Sequence, residues 1–276
     1  MILTRYLYFK DDVLCSLFFS ILNKEKDEAL FWAYELYYSG YEEETVEYLE
    51  AIYKQCFWVF NPKLEKPIKN WLSKVTREPL MIAHCVANLC SPNRKYNLTD
   101  FLVHTIPSEI KSDTKESPII IKSKKEDMEP YNTFDYSNET RWDILPLVCA
   151  HRPYFEWGKF MNCEHSQYSY NDCKEAQTHD WLYYASFSPI WQKRILEYGG
   201  FAVDETKKIE FEEEEQKKKF YKIYGYKDPD EEPLSTQFDY LQYNTEYKTQ
   251  HDFITEYKVP CKKVKIKKQK ISSQNI

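Results

Sequence analysis

Residues 29–40 read ALFWAYELYYSG, and this stretch sets the expectation for the fold. Its apolar residues recur three and four positions apart, which predicts a helix over Lys26–Ser39. Gly40 then suits the left-handed position that ends many helices, because glycine has no Cβ to clash there. The stretch therefore predicts a helix that ends at Gly40.

The neighbouring segments carry the same helical spacing of apolar residues. Further helices are predicted over 12–22, 42–61, 63–73 and 78–90. Helices joined by short connections pack as antiparallel neighbours, because each hides only one apolar stripe. We expect residues 1–106 to form an N-terminal helical-hairpin bundle.

The second half of the chain predicts a helix-rich unit that contains a small β-hairpin. Ser188 and Pro189 are typical of the first positions of a helix, which Gly199–Gly200 ends. Residues 201–204 and 208–211 alternate around a polar turn, as hairpin strands do. We expect a mainly α fold in four parts: the bundle (1–106), a polar linker or long loop (107–140), a C-terminal helical unit with the hairpin (141–232), and a weakly ordered tail (233–276).

Composition disfavours the commonest nucleotide-dependent enzymes. The chain has 276 residues but only 5 Gly, and neither G-x-x-x-x-G-K-[ST] nor G-x-G-x-x-G occurs. Loops that cradle phosphates depend on such glycines. No catalytic residue can be assigned from the sequence.

The net charge of −6 conceals a basic C-terminal end. Seven lysines and no acid occur from Lys258 onward, which leaves −13 for the rest of the chain. We do not expect so acidic a part of the chain to bind nucleic acid in general, because contacts to phosphates need positively charged residues. The end is either a solvated tail or an arm for nucleic acid or an acidic partner; the arm's candidate residues are Lys262, Lys263, Lys265, Lys267, Lys268 and Lys270.

The eight cysteines are expected to be reduced. The apolar run 13–22 is ten residues long, follows two acids and lacks the basic start of a secretory leader. No stretch approaches the roughly 20 apolar residues of a membrane span. We expect an intracellular protein with no membrane partner, and Cys15, Cys56 and Cys85 in its core.

A group of cysteines and histidines in the second half allows two interpretations. Cys163, His165, Cys173 and His179 have the ligand chemistry that zinc prefers, yet they lack a Cys-x-x-Cys or His-x-x-x-His spacing. The alternative is an ordinary set of core residues with no cofactor. A Cys173–His179 nucleophile is a weaker reading, because residues six apart do not face each other on a helix.

Aromatic residues make up 17% of the chain, with 24 Tyr, 16 Phe and 7 Trp. Three explanations stay open: a protein interface, nucleobase stacking, or AT-rich coding sequence. Tyrosine and tryptophan are favoured at protein contacts, whereas base stacking needs basic neighbours. The candidate interface residues are Trp32, Tyr37, Tyr38, Tyr41, Trp181, Tyr184 and Trp191.

Three segments resemble uncharacterised proteins of nucleocytoplasmic large DNA viruses, the giant viruses of protists. They are residues 29–40, residues 179–191 (HDWLYYASFSPIW) and residues 220–232 (FYKIYGYKDPDEE). The resemblance implies a viral protein of the host cytoplasm or the viral factory. It implies no substrate, cofactor or catalytic residue.

The sequence supports three hypotheses about function. The first is a non-enzymatic interaction or scaffold protein that docks another protein through aromatic helical faces. The second is a nucleic-acid-associated accessory factor that uses the C-terminal lysines. The third is a zinc-dependent enzyme or a zinc-stabilised module.

Overall fold

A computed structural model describes residues 2–5, 8–98, 119–132, 182–224 and 255–256. These residues are mainly helical with one small antiparallel hairpin, so the predicted fold class is confirmed. The elements are α1 (Lys10–Asn23), α2 (Lys26–Tyr38), α3 (Glu42–Ile52), α4 (Glu65–Leu72), α5 (Leu80–Leu89), α6 (Glu129–Asn132), α7 (Pro189–Glu197), β1 (Gly200–Val203), β2 (Lys208–Phe211) and α8 (Glu214–Tyr224).

Helix α2 lies at the centre of the fold. Every residue from Ala29 to Tyr37 is buried, which is expected of a helix that is apolar on all sides. Helices α1, α3, α5 and α6 all contact it. The segment that predicted a helix therefore forms the middle of the core.

The chain after α3 does not continue as one regular helix to residue 61. A wider helical turn spans Tyr53–Phe57, and tighter turns follow at Trp58–Phe60 and Pro62–Leu64. Pro67 lies in the first turn of α4, where no backbone N–H is required for a hydrogen bond. Helix α4 then packs against α3 and α5.

Arg5 joins four separate parts of the chain. Its Nε lies 2.9 Å from Glu35 Oε2, and both side chains are almost fully buried. Its Nη2 donates to the Tyr131 carbonyl at 2.9 Å, its backbone N–H donates to Ser39 Oγ, and its carbonyl accepts from Trp191 Nε1 at 2.8 Å. The side chain and backbone of Arg5 thus connect α2, α6 and α7.

Residues 119–132 lie within the predicted linker and pack against the helices. The Asn88 side chain forms two hydrogen bonds with the backbone of Ile121. The Tyr131 ring stacks on the Tyr34 ring, with 5.7 Å between the centroids. The predicted boundaries at 106, 140 and 232 fall outside the described residues, so the division into domains stays a prediction.

The start of α7 packs on the end of α2. The Ile190 N–H donates to the Ser39 carbonyl at 3.2 Å, and Trp191 is fully buried. Beyond α7 the predicted hairpin is confirmed: Gly200 pairs with Phe211 and Val203 with Lys208. Residues 182–224 therefore share one apolar core with the N-terminal helices.

None of the helices in the described ranges combines the length and apolar character that crossing a bilayer requires. Cys15, Cys56 and Cys85 are buried, as the sequence predicted. Burial raises the pKa of the Cys85 thiol well above its ordinary value.

Removing one member of the Arg5–Glu35 pair should destabilise the fold. We expect Glu35→Gln to lower the free energy of unfolding by about 3–5 kcal/mol, because a buried guanidinium loses its counter-charge. Urea unfolding measures this loss. The control is Glu50→Gln, which breaks the solvated pair with Lys54 and should cost less than about 1 kcal/mol. Equal losses in the two variants would contradict the role given to Arg5.

The contact between α2 and α7 can be tested at Gly40. This residue has φ +93°, and a Cβ built there would lie 2.7 Å from the Pro189 Cβ. We expect Gly40→Ala to lower unfolding free energy by about 2–4 kcal/mol, from backbone strain plus overpacking. The control is Gly199→Ala, also at positive φ but with its nearest atom at 3.8 Å; it should cost only about 1 kcal/mol. A Gly40→Ala loss no larger than the control's would show that α7 does not pack there.

Candidate functional site

The aromatic residues predicted to form an interface are mostly core residues. Trp32 and Trp191 are fully buried, and Tyr37, Tyr41 and Tyr184 are less than 10% exposed. Only Tyr38 is half-buried. The expectation that these rings lie on exposed helical faces is wrong for the five buried residues. Helix α2 is enclosed on all sides, which buries Trp32 and Tyr37, and Tyr41, Tyr184 and Trp191 pack into the same core.

Other predicted site residues lie outside the described part of the chain. These are Trp181, the possible zinc ligands (Cys163, His165, Cys173 and His179) and the C-terminal lysines (Lys262, Lys263, Lys265, Lys267, Lys268 and Lys270). Within the described residues no group of three or more His, Cys, Asp or Glu is placed to hold a metal ion. The zinc site and the basic arm stay predictions.

Exposed basic residues cluster on and around α4. Residues 54–77 contain six basic residues and one acid, Glu65, which gives a net charge of +5. The chain as a whole carries −6, so the remaining residues carry −11. All six basic side chains are exposed. We call them the basic face: Lys54, Lys63, Lys66, Lys69, Lys74 and Arg77.

The apolar residues of α4 determine which way its charges point. Leu64, Ile68, Trp71 and Val75 are buried, and their spacing of three and four residues places them on one side of the helix. Within α4, Lys66, Lys69 and Asn70 are exposed on the opposite side. Lys63, Lys74 and Arg77 are exposed in the turns before and after the helix. The core therefore turns the lysines of α4 outward.

Two core tyrosines fix the segment after α4. The Tyr37 hydroxyl donates to the Val75 carbonyl at 3.4 Å, and the Tyr34 hydroxyl donates to the Pro79 carbonyl at 3.1 Å. Burial raises the pKa of both phenols, so they are neutral donors at physiological pH. These bonds position the turn that carries Lys74 and Arg77.

Glu65 organises the other end of the basic face. Its carboxylate accepts from Lys69 Nζ at 2.6 Å and from Trp58 Nε1 at 3.3 Å. The hydrogen bond from Lys69 and then the one from Trp58 lower the pKa of Glu65. Glu65 therefore stays ionised to a lower pH than an ordinary glutamate, and it holds the indole beside a lysine.

Three of the six cations on the basic face have no acidic partner among the described residues. Lys54 and Lys69 form ion pairs with Glu50 and Glu65. In contrast, Lys66, Lys74 and Arg77 have no ion pair within the part of the chain that the structure describes. These three cations are available to an external anion.

Most other exposed lysines in the described residues lie among acids. Residues 119–132 contain three lysines and three acids, and residues 205–222 contain six of each. Interleaved charges of both signs produce little net field at a distance. The basic face is therefore the strongest positive region of the described surface.

The segment 95–96 packs beside Asn61, and charges of both signs lie near it. Asn61 Nδ2 donates to the carbonyl of Lys95, an exposed residue, at 2.7 Å. Glu256 is close enough to Tyr96 to raise the pKa of its phenol, although burial is the larger cause. Glu256 precedes Lys258, the first of the C-terminal lysines, by two residues.

Sequence reasoning missed the basic face, although a signal was present. Apolar spacing predicts the helix over 63–73. The acidic net charge of the whole body, however, hides the excess of lysines on one side of this helix. The exposed side of that helix is where the lysines cluster. Comparison of the chain with protein-family models, with curated proteins and with solved structures finds no match in any of the three.

Glu65 should oppose the binding of anions to the basic face. We expect Glu65→Gln to elute from a heparin column at higher salt, because it removes the only negative charge between residues 54 and 77 while its amide oxygen can still accept from Trp58. The control is Glu210→Gln, which removes one exposed charge from β2. Equal shifts in the two variants would mean that retention follows net charge and not this surface.

Proposed function

We propose that this protein binds nucleic acid through the basic face and acts as a nucleic-acid-associated accessory factor. The observation that carries the proposal is the concentration of six cations on one exposed surface of an otherwise acidic chain. Nucleic-acid backbones present regularly spaced phosphates, and lysine and arginine contacts to them supply most non-specific affinity.

The dimensions of the basic face suit several phosphates. At about 1.5 Å per helical residue, α4 (Glu65–Leu72) is roughly 12 Å long, which corresponds to about three to four phosphates of one strand of a duplex. Five of the six cations are lysines, whose compact ammonium groups contact phosphates as point charges, and phosphate contacts carry no sequence information. The proposed binding is therefore independent of sequence.

A membrane surface fits this face less well. Helices that bind at a bilayer interface insert an apolar side among the lipids while their lysines contact the headgroups. The apolar side of α4 is instead buried against α3 and α5. Its outer side offers polar residues such as Asn70 and Ser73 between the lysines.

Protein docking through aromatic helical faces is the weaker hypothesis. Five of the residues proposed for it are buried in the core, where a partner has no access to their rings. Trp181 lies outside the described residues, and so do the ligands of the zinc hypothesis. In the viral setting that the resemblance implies, a nucleic-acid accessory factor would act in the host cytoplasm or the viral factory.

The proposal is tested by the salt dependence of binding to a labelled mixed-sequence single strand of DNA. We expect Lys66→Gln/Lys74→Gln/Arg77→Gln to reduce the slope of log K against log salt by about 2, because about 0.7 counterion is released per phosphate of a single strand. Fluorescence anisotropy across a salt series measures the slope.

The control for this test removes the same charge elsewhere. Lys193→Gln/Lys208→Gln/Lys218→Gln changes three exposed lysines of α7, β2 and α8, and it should leave the slope close to that of the wild type. Deleting 258–276 reports the separate contribution of the predicted arm. The proposal fails if the wild type does not bind, or if both triple variants change the slope equally.

A further inference from the structure

We propose that Trp58 is a base-stacking platform and that the basic face therefore prefers single-stranded nucleic acid. This inference rests on the proposed function and adds the form of the ligand to it. It starts from the one exposed indole among the described tryptophans. Trp58 is 46% exposed, whereas Trp32, Trp71 and Trp191 are 0%, 8% and 0% exposed.

The exposed indole is held in place. Its N–H donates to Glu65, whose other carboxylate oxygen accepts from Lys69. A Trp N–H that already has an acceptor leaves the flat ring free for contact through its faces. Because the orientation of the ring is fixed beforehand, a base that stacks on it pays less ordering entropy.

Two cations lie near the ring, and each also has an acidic partner: Glu50 for Lys54 and Glu65 for Lys69. Lys54 lies one helical turn before Trp58 and is near enough to Glu65 to contribute to lowering its pKa. Lys69 shares the Glu65 carboxylate with Trp58. Proteins that bind single strands combine these two features, a positive groove for the backbone and an aromatic face for the bases.

Stacking distinguishes single strands from duplexes. In a duplex both faces of each base are covered by its neighbours, whereas an unpaired base can leave the stack and cover an exposed ring. Phosphate contacts alone would not make this distinction, because both forms have charged backbones. A preference for single strands therefore requires a group such as Trp58.

The experiment compares Trp58→Leu with wild-type protein, using poly(dT), poly(U) and a mixed-sequence DNA duplex as probes. We expect the variant to bind both single strands about 5-fold to 150-fold more weakly, the range that follows from removing one stacked base. Its salt slope should match the wild type, since no charge is lost, and duplex affinity should change little. Quenching of tryptophan fluorescence by poly(dT) should decrease in the same variant.

The matched control is Phe187→Leu, which removes a ring that is 45% exposed in the turn before α7; it should bind as the wild type does. Circular dichroism and urea unfolding confirm that both variants are folded.

If wild-type protein binds the probes but Trp58→Leu binds them equally well, the stacking proposal is overturned and the proposed function stands. If wild-type protein binds none of the probes, the proposed function fails and the stacking proposal fails with it.

Discussion

The buried ion pair between Arg5 and Glu35 is the interaction on which the arrangement of this chain depends. Glu35 lies in a helix that is enclosed on all sides, so its charge needs a partner inside the protein. Arg5 supplies that partner from outside the helix, and its remaining hydrogen bonds reach the carbonyl of Tyr131 and, through its own backbone, Ser39 and Trp191. Satisfying one buried carboxylate thus brings three distant segments to the same end of α2.

The tyrosines of the core have a related role. A phenylalanine could fill the same volume, but the hydroxyls of Tyr34, Tyr37, Tyr41 and Tyr53 each donate to a backbone carbonyl outside their own helix. The carbonyls of Pro79 and Asn61 also accept a backbone N–H, so the phenol is a second donor to each of them. Each such hydroxyl therefore ties a connecting segment to the core. Much of the aromatic excess in the described residues is explained by packing and by these contacts, without any partner.

Parts of this structure could be predicted from the sequence, and the physical reason differs for each part. Helices α1, α2 and α5 follow from apolar spacing, and the hairpin follows from alternation around a polar turn. The central position of α2 was missed because rings on all sides of a helix fit both an interface and an enclosed helix. Glu35 was the clue, since a lone acid among aromatic residues suits a buried ion pair. The packing of 119–132 depends on side-chain amides such as Asn88, which local sequence does not reveal.

The charge distribution connects the fold to the proposed function. Helix α3 begins with Glu42, Glu43 and Glu44, which are exposed, while α4 carries lysines on its outer side, and both helices share one core. A polyanion that approaches from the acidic side is repelled, whereas one that approaches α4 is attracted, so the molecule's own field orients the encounter. The acidic residues on the other surfaces would then restrict contact with a polyanion to the basic face. For a protein that contacts phosphates without reading sequence, a net charge of −6 is consistent with binding, because the local field at the surface decides the contact.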